Sequence, residues 1–78
     1  MKLTYDPRYN VAYLRLADAS APVRTIEVSD ELNVDIDDEG TVHGIEFLNA
    51  RRQLEDFAGA TFSVENVATG DTVELALP

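Results

Sequence analysis

Four carboxylates stand nearest to a known chemistry. Asp35, Asp37, Glu39 and Glu46 occupy the first, third, fifth and twelfth positions of a calcium-loop pattern, with Gly40 at the sixth. A hard divalent cation takes about six to eight oxygen ligands, and the glycine permits the sharp turn that gathers them. Val42 stands at the usual apolar position. Two features depart from the pattern. Glu39 replaces the expected Asp or Asn, and Leu32-Asn33-Val34-Asp35-Ile36 alternates with the period of a strand where a helix should enter. The expectation is therefore a solvated hairpin turn. A small acidic metal-binding module using Asp35, Asp37, Glu39 and Glu46 is the alternative.

His43 is the single histidine, so any general-base or metal scheme would centre on it. Its nearest candidate carboxylates, Asp35 and Glu46, fall on an adjacent strand or the opposite face of its own. A partly buried sheet histidine is the expected role. Ser20, Ser29 and Ser63 lie in no nucleophile motif, and there is no cysteine. Glycines 40, 44, 59 and 70 are scattered, so no loop cradles a phosphate. No catalytic residue, metal or cofactor is assigned.

Two groups suit a contact surface. Tyr5, Tyr9 and Tyr13 gather at the first hairpin, and tyrosine combines broad apolar area with a polar tip. Hairpin packing is the plainer account. Arg51 and Arg52 could anchor a carboxylate or phosphate, although solvated helix charges are the plainer account.

The elements that must position these residues are mostly strands. Lys2–Tyr5 and Val11–Leu16 flank the turn Asp6-Pro7-Arg8-Tyr9-Asn10, where Asp caps backbone amides and Pro presets φ. Ala12, Leu14 and Leu16 share one face; Val11, Tyr13 and Arg15 share the other. Ala17 to Pro22 forms a loop. Val23–Val28 is expected to turn Ile26 and Val28 inward. Leu32, Val34 and Ile36 alternate with Asn33, Asp35 and Asp37, and Thr41–Leu48 returns after Gly40. Gly44 within that return suggests a bulge or a close backbone approach.

Asn49 is the expected N-cap of a helix over Ala50 to Ala58, closed by Gly59. Ala50, Leu54, Phe57 and Ala58 form its apolar stripe. The pairs Arg51–Glu55 and Arg52–Asp56 offset charges that oppose the helix dipole. Past Gly59 come Thr61-Phe62-Ser63-Val64, a stretch from Val64 to Ala68 that is strand or helical turn, a turn at Thr69-Gly70-Asp71, and a last strand in which Val73, Leu75 and Leu77 alternate with Thr72, Glu74 and Ala76.

The chain has 78 residues and a formal net charge of -9, with fifteen acidic against six basic groups. That length makes one domain, 1–78, with marginal stability of its own. The acidity opposes binding to a phosphate backbone, so no nucleic-acid partner is expected. A 45% hydrophobic content with regular periodicity argues for a folded chain. No apolar run suits a leader or a membrane span, so a cytoplasmic location with no membrane contact is expected.

Two stretches resemble the DUF2283 family of small bacterial domains of unknown function. One is Tyr5-Asp6-Pro7 followed by Ala12-Tyr13-Leu14-Arg15-Leu16. The other runs from Val34 through the acidic turn, Gly40, Gly44 and Glu46 to Ala50. The resemblance implies a small sheet with a helix, no established activity and no catalytic residues. Some members resemble the antitoxin-like half of a gene pair.

The expected fold is α+β: a twisted, mainly antiparallel sheet of five to six strands, meander-like, with one short helix packed on it. The expected core is Leu3, Leu14, Leu16, Ile26, Val34, Ile36, Ile45, Phe47, Leu54 and Phe57, with Val73 and Leu75. The expected function is that of a non-enzymatic acidic interaction domain. It would form a homo-oligomer, a dimer first, or bind a basic protein.

Overall fold

The computed structural model describes residues 1–17, 22–55 and 59–76. In chain order the elements are β1 (Lys2–Asp6), β2 (Val11–Arg15), β3 (Arg24–Ser29), β4 (Leu32–Ile36), β5 (Val42–Leu48), α1 (Ala50–Gln53), β6 (Thr61–Glu65) and β7 (Thr72–Ala76). All pairings among them are antiparallel, and the α+β class read from the sequence holds. No helix among the described residues is long and apolar enough to cross a membrane.

The lateral order is β1-β2-β5-β4-β3. The meander is therefore split. β3, β4 and β5 follow one another by hairpins, and β2 lies beside β5 instead of β3. This is a Greek-key arrangement, with the long connection running from β2 to β3. Its physical basis is the match between β2 and β5. Leu14 stands opposite Ile45, Ala12 opposite Phe47 and Tyr13 opposite Glu46, so apolar meets apolar on one face and polar meets polar on the other. β6 and β7 form a separate two-stranded sheet.

One ladder crosses the five strands as Leu3, Leu14, Ile45, Val34 and Ile26. These residues, with Ala12, Phe47 and Leu32 in the next row, make an apolar side. The other face carries Thr4, Tyr13, Glu46, Asn33 and Glu27 in register. Period-two alternation is the cause.

The interior differs from the expected core. Among the described residues the buried apolar side chains are Ala12 and Ala50. Leu3, Leu14, Val34, Ile36, Ile45, Phe47 and Leu54 are half-buried. Leu16, Ile26, Val73 and Leu75 are exposed. Val28 is also exposed: the register steps from Glu27↔Asn33 to Ser29↔Leu32, so a bulge takes Val28 out of the ladder on an edge strand. Phe57 and Ala58, the pair Arg52–Asp56, Leu77 and most of the 17–22 loop lie outside the described residues.

The helix is a single turn, Ala50–Gln53. Asn49 precedes it in the left-handed region (φ 52°, ψ 50°) and makes no side-chain cap. Asn10, from the β1–β2 turn, takes that role. Its carbonyl accepts the Ala50 N–H, and its Oδ1 accepts the Arg51 N–H at 2.9 Å. Gln53 Nε2 donates to the carbonyls of Glu31 and Leu48, which ties α1 to the β3–β4 turn and to the end of β5. The 64–68 segment divides between the end of β6 and a turn in which Gly70 N–H donates to Asn66 O.

Candidate functional site

The polar face gathers the largest group of chemistry-bearing side chains. Tyr13 on β2 donates its hydroxyl to Asp35 Oδ2 on β4 at 2.8 Å, passing over β5. Thr25 on β3 donates to Asp35 Oδ1 at 2.6 Å. Asn33 Nδ2 donates to Glu46 Oε1 at 3.0 Å. Gly44 makes the crossing possible: a Cβ there would stand 2.0 Å from Tyr13 Oη. The close backbone approach expected at Gly44 is instead crowding by the Tyr13 side chain. The bond to the Asp35 carboxylate holds the Tyr13 hydroxyl above its ordinary pKa, with desolvation acting the same way.

The expected bulge is present. The β4–β5 register steps from Asp35↔Gly44 to Ile36↔Val42 and skips His43. His43 is buried, and its Nε2 lies 2.8 Å from Asp37 Oδ2, the imidazole N–H donating. Its carboxylate partner is thus Asp37, at the mouth of the hairpin turn, and neither Asp35 nor Glu46. Asp37 Oδ1 also accepts the N–H groups of Glu39 and Thr41. The His43 bond, then these amides, hold Asp37 below the usual carboxylate range. His43 Nδ1 is buried and has no hydrogen-bond partner among the described residues.

The calcium-loop carboxylates are consequently spread apart. Asp35 serves Tyr13 and Thr25, Asp37 serves His43 and the turn, Glu46 serves Asn33, and Glu39 is exposed. No cluster of three metal-ligating side chains occurs among the described residues. The turn is a strand hairpin closed by Gly40, whose φ of 84° only glycine adopts without cost.

The three tyrosines do not share one surface. Tyr5 pairs with Ala12 on the apolar side, and Tyr13 stands on the polar face. Tyr9 lies in the turn, 73% exposed, with the Arg8 guanidinium 5.7 Å from its ring centre. Arg8 also forks onto Asp6, which lowers the Asp6 pKa. Arg51 Nε donates to Tyr5 Oη at 3.1 Å. Arg52 pairs with Glu31 on the β3–β4 turn. Arg51 thus fastens α1 to β1, and Arg52 fastens it to the β3–β4 turn. Asn10, Gln53 and Thr25 are the structural residues that sequence reasoning missed. Asn10 left one signal, a turn asparagine able to adopt positive φ, here 55°.

The apolar side holds a groove. A cavity of about 450 Å³ lies between the five-stranded sheet and the β6–β7 hairpin, walled by Met1, Leu3, Leu14, Phe62, Val64 and Leu75. A neighbouring one of about 300 Å³ shares Leu3, Leu14 and Phe62 and extends to Phe47 and Leu54.

A family model described as a protein of unknown function (DUF2283) matches residues 2–51. The matched stretch holds the five-stranded sheet and the start of α1, and the β6–β7 hairpin lies beyond it. No curated protein and no solved structure matches the chain.

Proposed function

The chain belongs to the DUF2283 family, and on that premise we propose that it is a small acidic interaction domain that works by protein–protein association and catalyses no reaction. One observation carries the reading. Apolar side chains that should form a core are left half-covered or exposed on one side of the sheet. A sheet with one apolar face is stable when a second layer covers that face. The polar groups supply the complementary support. Tyr13, Asp35, Glu46, Asp37 and His43 each bond a neighbour within the fold, so their geometry is accounted for by holding strands and a turn together.

The partner is a second copy or a basic protein drawn by the charge of -9. Light scattering on the purified full chain, over a wide range of concentration, tests self-association. The expected mass is twice the 8.6 kDa of one chain. One-chain mass at every concentration, with no protein retained from the native lysate, removes the reading.

A further inference from the structure

We propose that the open apolar side is closed by a second copy of the chain, the two copies packing these sides face to face with the β6–β7 hairpin inside the contact. The inference rests on the interaction-domain reading and names its partner and surface.

Area is the first argument. The chain exposes 5863 Å². A folded monomer of this mass exposes about 4,700 Å². The excess is about 1,200 Å², and one partner in a standard-size interface buries about 800 Å². The surplus is therefore of the size that a stable dimer removes from water.

The hairpin is the second. Phe62 stands opposite Leu75 and Val64 opposite Val73, so these four share one face. They are 42%, 56%, 53% and 61% exposed, in that order. Thr61, Ser63 and Glu65 stand opposite Ala76, Glu74 and Thr72 on the other face. The hairpin is thus as two-sided as the main sheet; among the described residues its strands pair only with each other, and Phe62, Val64 and Leu75 face Leu3 and Leu14 across the groove while staying largely exposed. A lone two-stranded hairpin is at best marginally stable in water and needs packing on its apolar face. The single turn of α1 is too short to supply that layer.

Charge selects the occupant. The apolar ladder of Leu3, Leu14, Ile45, Val34 and Ile26 carries no ionisable group, whereas Glu27, Asp35 and Glu46 stand on the opposite face, beside Lys2 and Arg15 on β1 and β2. A basic protein would be drawn to that acidic face. Two copies that each carry -9 approach most closely through a surface poor in charge, and on this side the ladder rows carry one charged residue, Arg24 on the β3 edge opposite Ile36. A two-fold axis lets the same patch meet itself and closes the assembly at two.

The test compares the full-length chain with Val64→Asp and Val73→Asp, and with Glu74→Lys on the outer face of the hairpin as control. Light scattering should give a two-chain mass for the wild type and the control. Each aspartate should raise the dissociation constant by roughly 30-fold or more, as loss of a buried interface anchor does. Intermolecular methyl contacts in a mixed isotope-labelled wild-type sample give a readout that needs no variant. They should join Val64, Val73 or Leu75 of one copy to the apolar side of the other. A wild-type dimer that survives both aspartates, with intermolecular contacts confined to the β1 or β3 edge, overturns this inference and leaves the interaction reading standing. A wild type that is monomeric at all concentrations, yet retains a basic protein from lysate, removes the second copy alone.

Discussion

A methyl group at position 44 would stand 2.0 Å from Tyr13 Oη and 2.3 Å from Cζ, so Gly44→Ala must expel the Tyr13 ring. The expected loss of stability is about 1–3 kcal/mol, the usual range for overpacking. In a Tyr13→Thr background the same substitution should cost less than half as much, because the clash is already gone. Denaturant unfolding of the four proteins in this cycle measures both. The Tyr13–Asp35 bond also has a pH signature. The Tyr13 pKa is raised above 10.0, so its contribution is complete below that value and is lost as pH rises through the folded-state pKa. Tyrosinate absorbance should show one late-ionising tyrosine, and Tyr13→Phe should remove that phase. Asp37 has the opposite sign. Its pKa lies below 3.8, so the stability it adds is present above that value and lost as pH falls through the folded-state pKa. Asp37→Asn should lower stability at neutral pH and flatten the acid limb of the stability curve. Thermal melts from neutral pH to strong acid would show whether it does.

The single turn of α1 depends on Asn10 more than on its own residues. With four residues it is far below the length at which a helix holds by itself. Asn10→Gly keeps the left-handed backbone and deletes the side-chain cap, so it should cost about 1 kcal/mol. Asn10→Ala adds the left-handed penalty, about 1–2 kcal/mol more. Equilibrium unfolding of the pair separates the two contributions, and hydrogen exchange should show residues 50–54 opening first. The helix also shows where a sequence stops being informative. Period-two alternation is local, so β1 to β5 and β7 could be read from it, and so could the two faces of β2 and β4; β6 could not, because the stretch from Val64 suits a helical turn as well. Lateral order could not, because the place of β5 between β2 and β4 depends on matching rows far apart in the chain. Asn49 resembled an N-cap because cap preference is a property of residue type; its backbone is left-handed and its Oδ1 accepts instead from Asn10 Nδ2, thirty-nine positions away. At the candidate site, Gly44 announced a close approach, but only the register named Tyr13 as the intruder. The His43–Asp37 contact was hidden because the bulge at His43 breaks the alternation on which face assignments rest.

Across the whole molecule the dimensions carry the same message as the exposed side chains. The Cα radius of gyration is 14.1 Å, and the extents are 35 × 34 × 21 Å. A domain of this length with a full core has a radius near 11.5 Å. The chain is a broad slab with one charged and one apolar side, and those sides answer oppositely to salt. Moving from about 0.1 M to about 1 M ionic strength shortens the screening length from about 10 Å to about 3 Å. Two copies carrying -9 each repel less as that happens, while contact between apolar surfaces is not weakened. Self-association should therefore tighten with salt by several-fold, and the thermal midpoint should rise with protein concentration at every salt level. A basic protein held on the acidic face should do the reverse and dissociate over the same range. Sedimentation velocity across that range reads the sign directly. Dissociation of the two-chain species by added salt would mean that charge, rather than the apolar side, holds the copies together.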